Sequence, residues 1–223
     1  MGSMPATPTT PKGKRTLQQI LEAARRVFAR DGFVNARMVD IADEAGLSMG
    51  GLYRYFESKD DVFEQLLAGI HEELYVSSRG HGHRFASDPF QALREANFAY
   101  LEQYATNRDV MRVLIEAAAV DPHFRDIWWQ MRSRHAQRFT EAMQKDFGVA
   151  EIDGISTAVA ADAMTCLVEQ VAYVWYAQAN PDREVTLDEA TEIVTRAWYR
   201  LFFVAADDAE GRATHRFDAA VSS

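Results

Sequence analysis

The residues able to do chemistry in this 223-residue chain are few, and their spacing suits binding better than turnover. The only cysteine, Cys166, sits in an apolar stretch, and no Ser-His-Asp or Cys-His set is evident. No glycine-rich phosphate loop follows a strand pattern. The carboxylates are scattered, so no catalytic site and no cofactor are expected. His71, His81 and His83 are the nearest approach to a metal set. Two histidines in a Gly-rich loop without nearby cysteines make a weak one, so no metal ligand is assigned. A more defined chemistry lies between Gly32 and Leu66. There Arg37, Ser48, Tyr53, Arg54, Tyr55 and Lys59 offer donors of the kind that meet phosphate oxygens and base edges. Met49, Gly50 and Gly51 stand among them, small enough in the glycines for a backbone to approach a ligand closely.

Short helices must position these side chains. Leu17, Ile20, Leu21, Ala24, Val27 and Phe28 recur at helical spacing and predict a helix over 16–30, closed by Asp31-Gly32. Met38, Ile41, Ala42 and Ala45 mark a second helix ending at Gly46, and a third is expected over 48–56 with Ser48 as N-cap. Two short helices joined by Ala45-Gly46-Leu47 have helix-turn-helix spacing. Ser58, with Asp61 at the third helical position, predicts a self-capped fourth helix reaching about residue 77. Further helices are expected over about 89–105, 109–119, 122–146, 154–178 and 187–206, with no useful strand pattern. The fold class is therefore all-α, with roughly nine helices.

The segment GFVNARMVDIADEAGLSMGGLYRYFESKDDVFEQL resembles the DNA-binding domain of the TetR family of transcriptional regulators. Gly32-Phe33, Asp40-Ile41-Ala42, Ala45-Gly46-Leu47-Ser48, Gly50, Leu52-Tyr53, Tyr55-Phe56 and Ser58-Lys59 carry the resemblance, which covers about residues 15–70. It implies phosphate contacts from Tyr53 and Lys59, with Ser48 and Tyr55 as further ones. Two positions depart from the family pattern. Arg37 stands where Thr or Ser usually caps the second helix, and it can instead meet a phosphate or reach a guanine. Gly51 removes a side chain that often reads a base, which shifts specificity toward Arg37, Met49, Tyr53 and Arg54.

A net charge of −9 is at first sight a poor match for a DNA partner. Residues 1–67 hold nine basic and nine acidic side chains, so the excess acid lies beyond them. Charges more than a Debye length of ~8 Å away are largely screened. The N-terminal part is therefore the credible DNA binder, with Lys12, Lys14 and Arg15 able to add contacts. The expected organisation is an arm over 1–13, with Met1-Gly2-Ser3 an expression scar. A helix-turn-helix domain over 14–60, a ligand-binding and dimerisation domain over 61–206 and a tail over 207–223 follow.

In the distal region the resemblance implies a buried effector and a homodimer. Apolar, aromatic and methionine residues at helical spacing nominate Phe98, Leu101, Tyr104, Met111, Leu114, Trp128, Met131, Met164 and Leu167 as pocket lining, with His135 and Gln170 as polar members. Asn97, Glu116 and Glu169 are further polar residues beside those stripes that could orient a ligand. The last two long helices are apolar over more than one stripe. They nominate Ala161, Val168, Val171, Trp175, Ile193, Val194, Ala197, Trp198 and Leu201 for a dimer interface. The expected protein is a cytoplasmic, homodimeric repressor, released from a pseudo-palindromic operator by a small apolar or aromatic effector. No membrane association is expected. An activator, a regulator without a ligand, and a metal-responsive regulator using His71, His81 and His83 are the alternatives.

Overall fold

The computed structural model describes residues 8–78, 84–178 and 184–204. Among these, nine α-helices carry the chain: α1 Pro11–Asn35, α2 Met38–Glu44, α3 Met49–Leu52, α4 Lys59–Ser77, α5 Pro89–Thr106, α6 Arg108–Val120, α7 Pro122–Phe147, α8 Thr157–Ala172 and α9 Leu187–Phe203. A two-residue antiparallel ladder, β1 Glu151–Ile152 with β2 Ile155–Ser156, precedes α8. A π-helical turn, Tyr173–Ala177, extends α8. His81, His83 and the expected tail lie outside the described residues.

Two compact units are present. Of the described residues, the first gathers those up to Glu72 with Asp109–Trp128, and the second gathers the others. In the first unit the apolar stripe of α1 is fully buried at Ile20, Ala24, Val27 and Phe28. Phe28, Phe33, Phe63 and Phe124 form one ring cluster with centroid separations of 4.7–6.2 Å. Gly32 breaks α1 with φ 72° and ψ 176°, a backbone conformation essentially confined to glycine. A Cβ there would stand 2.8 Å from both carboxylate oxygens of Glu116. Glu116, a candidate ligand-orienting residue by sequence, thus lies against this break.

Several element ends differ from the sequence reading. Residues 11–13, expected in the arm, form the first turn of α1: Pro11 opens it, and the Gly13 N–H donates to Thr10 Oγ1 at 3.1 Å. Helical structure expected from 154 begins only at Thr157, because Asp153 and Gly154 both take positive φ (52° and 78°) and turn a hairpin instead. The capping of α4 is as expected. Asp61 N–H donates to Ser58 Oγ, while Asp61 Oδ2 accepts from the N–H groups of Glu57 and Ser58.

In the second unit α9 packs chiefly on α5. Their contact is pinned by Asn97 Nδ2, which donates to Thr195 Oγ1 at 3.1 Å between two buried side chains. A capping box at Thr186 and Glu189 starts α9. Phe139 of α7 packs against Trp198 and Phe202 of α9, with ring centres 4.5–5.4 Å apart in the three pairs.

Candidate nucleic-acid interface and effector cavity

The α2–α3 pair is held from below and open above. Ile41, Ala42, Leu52 and Phe56 are buried, and Gly46 takes φ 64° to make the sharp connection. Ser48 caps α3, its Oγ accepting from the Gly51 N–H at 3.1 Å. The helix α3 ends at Leu52, although Tyr53 N–H still donates to Met49 O at 2.9 Å; Tyr53–Tyr55 form a turn in which Tyr55 N–H donates to Leu52 O at 2.9 Å and Phe56 N–H to the same carbonyl at 3.2 Å. Two glycines in so short a helix account for its ending before Phe56. On the open side Ser48, Gly50, Tyr53 and Arg54 are exposed, while Met49, Gly51 and Tyr55 are half-buried. A Cβ at Gly50 would meet no protein atom within 4 Å.

Charge pairing divides the cations of this unit. Arg25 pairs with Asp109, Arg26 with Glu44 and Arg30 with Asp31. Arg37 makes a two-point contact with Asp40, Nε to Oδ2 at 2.8 Å and Nη2 to Oδ1 at 2.9 Å, and leaves α2 without a side-chain cap. The hydrogen bond from Arg37 holds the Asp40 carboxyl below its ordinary range. Lys59 is engaged inwardly: Nζ donates to the carbonyls of Phe33, Val34 and Ala36 at 2.8, 3.0 and 3.2 Å and sits 4.8 Å from the Phe33 ring centre. An ammonium has three donors, and all three are used. Asp60 and Asp61 also fill the first turn of α4, so neither Lys59 nor that helix start faces outward as a ready phosphate site. Among the described residues, the side-chain cations of this unit given no partner are Lys12, Lys14, Arg15 and Arg54, all exposed.

Residues 20–66 match the family model for bacterial regulatory proteins of the tetR family. The segment that builds the α2–α3 pair is thus similar to the DNA-binding part of TetR-family regulators. The chain is 29% identical over 156 residues to the HTH-type transcriptional regulator YfiR of Bacillus subtilis, covering 65% of the chain and 71% of that relative. It is 29% identical over 111 residues to the regulator AcrR of Shigella flexneri, covering 50% of the chain and 51% of AcrR. With the HTH-type transcriptional repressor KstR2 of Rhodococcus jostii it shares 38% over 76 residues, 34% of the chain and 36% of the repressor. Its fold is like that of a TetR-like regulator from a Rhodococcus species (TM-score 0.65, 24% identity, 83% and 94% covered). PfmR of Thermus thermophilus, a TetR-family regulator, is similar as well (TM-score 0.61, 20% identity, 82% and 96% covered). The proteins it resembles are named as regulators, and none of those quoted is named as an enzyme.

The second unit contains a cavity of about 240 Å³. Its walls come from Ala92, Leu93, Ala96, Asn97 and Tyr100 on α5, His135, Arg138, Phe139 and Ala142 on α7, Thr165 and Val168 on α8, Trp198 on α9, and Ser78 and Phe85. Of the residues nominated from sequence as lining, His135 belongs to it, as does Asn97 of the further polar candidates. Leu101, Tyr104, Met131 and Met164 are buried in the core of this unit, and Leu167 faces outward. Met111, Leu114 and Trp128 belong to the first unit, while Phe98 and Gln170 are not on the wall. The nominated dimer residues divide as well. Ala161, Val168, Val194 and Trp198 are buried within the protomer, Trp198 to 6% exposure on the cavity wall, so they cannot meet a second copy. Val171, Trp175, Ala197 and Leu201 are half-buried, and Ile193 is 55% exposed. Val159 and Leu167 are exposed apolar residues on α8. His71 lies on α4, and the described residues contain no group of three metal-ligating side chains.

Proposed function

We propose that this chain is a cytoplasmic, homodimeric repressor whose α2–α3 head enters the major groove of a pseudo-palindromic operator and is released by a small apolar effector in the second-unit cavity. The observation that carries the DNA half is the arrangement of α3. Leu52 and Phe56 anchor it below, while Gly50, Tyr53 and Arg54 stand exposed above, with no side chain over Gly50. A duplex backbone can approach such a surface closely, with Tyr53 and Arg54 donating to phosphates or base edges. The exposed cations at the start of α1 add sequence-independent attraction. Repression is favoured over activation by the relative named as a repressor.

A two-fold dimer suits the exposed apolar residues Val159, Leu167 and Ile193 on α8 and α9. The cavity, apolar with a few convergent polar groups, fits an effector site. The test is a gel-shift titration on DNA upstream of the chain's own gene, repeated over a salt series. Wild type should give a sequence-selective shift. Arg54→Ala and Tyr53→Phe should weaken it by roughly tenfold or more each. Equal binding to scrambled DNA by wild type would refute the reading.

A further inference from the structure

We propose that Trp198 is the hydrogen-bond donor of the second-unit cavity, and that the occupant is a flat compound of one or two fused rings whose carbonyl oxygen accepts from the indole N–H. This rests on the reading of that cavity as an effector site. Trp198 is on the cavity wall, yet its indole nitrogen is buried and has no acceptor in the protein. Buried donors are nearly always paired in native proteins, and one left alone forfeits the hydration it had in the unfolded chain. The ring is held where it stands. Phe139 crosses it edge to face at 4.5 Å, and Phe202, itself fully buried, stacks on it at 5.4 Å. A molecule in the adjoining space can supply the missing acceptor. Tyr104 and Tyr176 also bury hydroxyl oxygens without a partner, but neither belongs to this wall.

Other polar side chains of the wall already have partners within the protein. Asn97 Nδ2 donates to Thr195 Oγ1 at 3.1 Å, and Thr165 Oγ1 donates to Ala161 O at 2.9 Å. Arg138 Nη1 donates to Tyr75 O at 2.9 Å and Nη2 to Ser78 O and Ser78 Oγ at 2.8 and 2.9 Å. His135 Nδ1 stands 3.5 Å from the same hydroxyl. A carbonyl oxygen can meet the indole N–H without burying a donor of its own. A donor fixed in advance also loses little freedom on gaining a partner.

Shape argues for a ring rather than a flexible tail. Phe85, Tyr100, His135, Phe139 and Trp198 present five rings to the cavity, arranged edge to face: Phe139–Trp198 at 4.5 Å, Tyr100–His135 at 5.2 Å and Phe85–Phe139 at 5.6 Å. A further flat ring can continue that pattern, whereas an alkyl chain would lose rotamer freedom without gaining ring contacts. At about 240 Å³ the space falls below the roughly 300–1,000 Å³ of drug-sized sites, which suits one or two fused rings.

Calorimetric titration of the full chain with three probes tests this. They are 2-acetylnaphthalene, 2-isopropenylnaphthalene, which has a methylene where the ketone has its oxygen, and 2-dodecanone, which carries the same methyl ketone on a chain. The ring ketone should bind about tenfold or more tighter than either of the others. Trp198→Phe should remove its advantage over the isopropenyl compound. Tyr100→Phe, which takes a hydroxyl from the same wall and leaves the indole, should keep it. The Trp198 indole proton, assigned by its absence from the Trp198→Phe spectrum, should resonate further downfield with the ketone than with its hydrocarbon counterpart. A ketone advantage that survives Trp198→Phe, or that is lost in Tyr100→Phe, overturns the assignment to Trp198. Should Trp198→Phe fail to fold, the wild-type order and Tyr100→Phe decide. Equal binding of the two naphthalenes overturns the donor argument, and equal binding of 2-dodecanone overturns the ring argument. Neither result would touch the effector-site reading. Absence of both heat and thermal shift with all three probes would overturn that reading itself.

Discussion

Replacing Lys59 by methionine keeps the aliphatic stem and removes the ammonium, which separates two roles that a sequence cannot distinguish. The TetR resemblance places this lysine on a DNA phosphate, whereas the structure places it on three carbonyls around the end of α1. Those carbonyls are the orphan acceptors of a helix terminus, and a cation among them also opposes the negative end of the helix dipole. Hydrogen bonds to a charged group contribute about 1.5–3 kcal/mol in favourable cases. The Val34 carbonyl is exposed and can rehydrate, while those of Phe33 and Ala36 are part-buried. The contact over the Phe33 ring adds about 0.5–1 kcal/mol. A loss of about 2–3 kcal/mol follows, or a fall in Tm of about 4–12 °C for a chain of this size. Thermal and urea unfolding measure it. In parallel, the slope of log Kd against log salt on operator DNA should stay within about half a unit of wild type. An unchanged Tm with a slope lowered by about one unit would refute the capping argument and return Lys59 to the phosphate.

Gly50→Ala should raise stability by roughly 0.5–1 kcal/mol, since its Cβ meets no protein atom, yet weaken operator binding. Unchanged affinity in gel shift would show that the duplex does not approach this backbone. Arg37→Ala should cost more operator affinity in wild type than in an Asp40→Asn background, because it also uncovers a carboxylate; additive effects in the cycle would deny that coupling. Asp40 itself should titrate below the ordinary ~3.9, so whatever its pairing contributes is present above that pH and lost as pH falls through the lowered value. NMR titration of the Arg37→Ala variant should return it upward. Ile193→Asp should give folded monomers by sedimentation, whereas Trp198→Asp should unfold the second unit rather than merely split a dimer. A dimeric Ile193→Asp protein would move the interface elsewhere.

The helix-turn-helix head was legible because its signals are local. The glycine turn at Gly46, the Ser48 cap and the Ser58–Asp61 box each depend on residues a few positions apart, and each forms as its spacing implies. The inward contacts of Lys59 are not legible for the opposite reason: its acceptors lie 23–26 residues away, beyond any periodicity argument. The cavity was missed through a related difficulty. Apolar stripes such as Leu101 and Tyr104 are spent on the core, so open space is left beside the mixed face of α5, at Ala92, Ala96 and Tyr100. The spacing i, i+4, i+8 of those three was visible, but two alanines and a tyrosine give no signal for a hollow. Arg138 was overlooked because a lone arginine on a long helix reads as solvated until its carbonyl partners are known.

Trp198 gives this fold a built-in optical reporter. Of the four tryptophans it alone is among the described residues of the cavity wall, and its indole N–H is buried without an acceptor. Indole emission responds to what lies against the ring and to a hydrogen bond at its nitrogen. An occupant of the cavity should therefore shift or quench one component of the protein's intrinsic fluorescence. A Trp198→Phe chain would supply the silent control. Occupancy could then be followed in real time without a label, and on the same sample in which DNA release is measured.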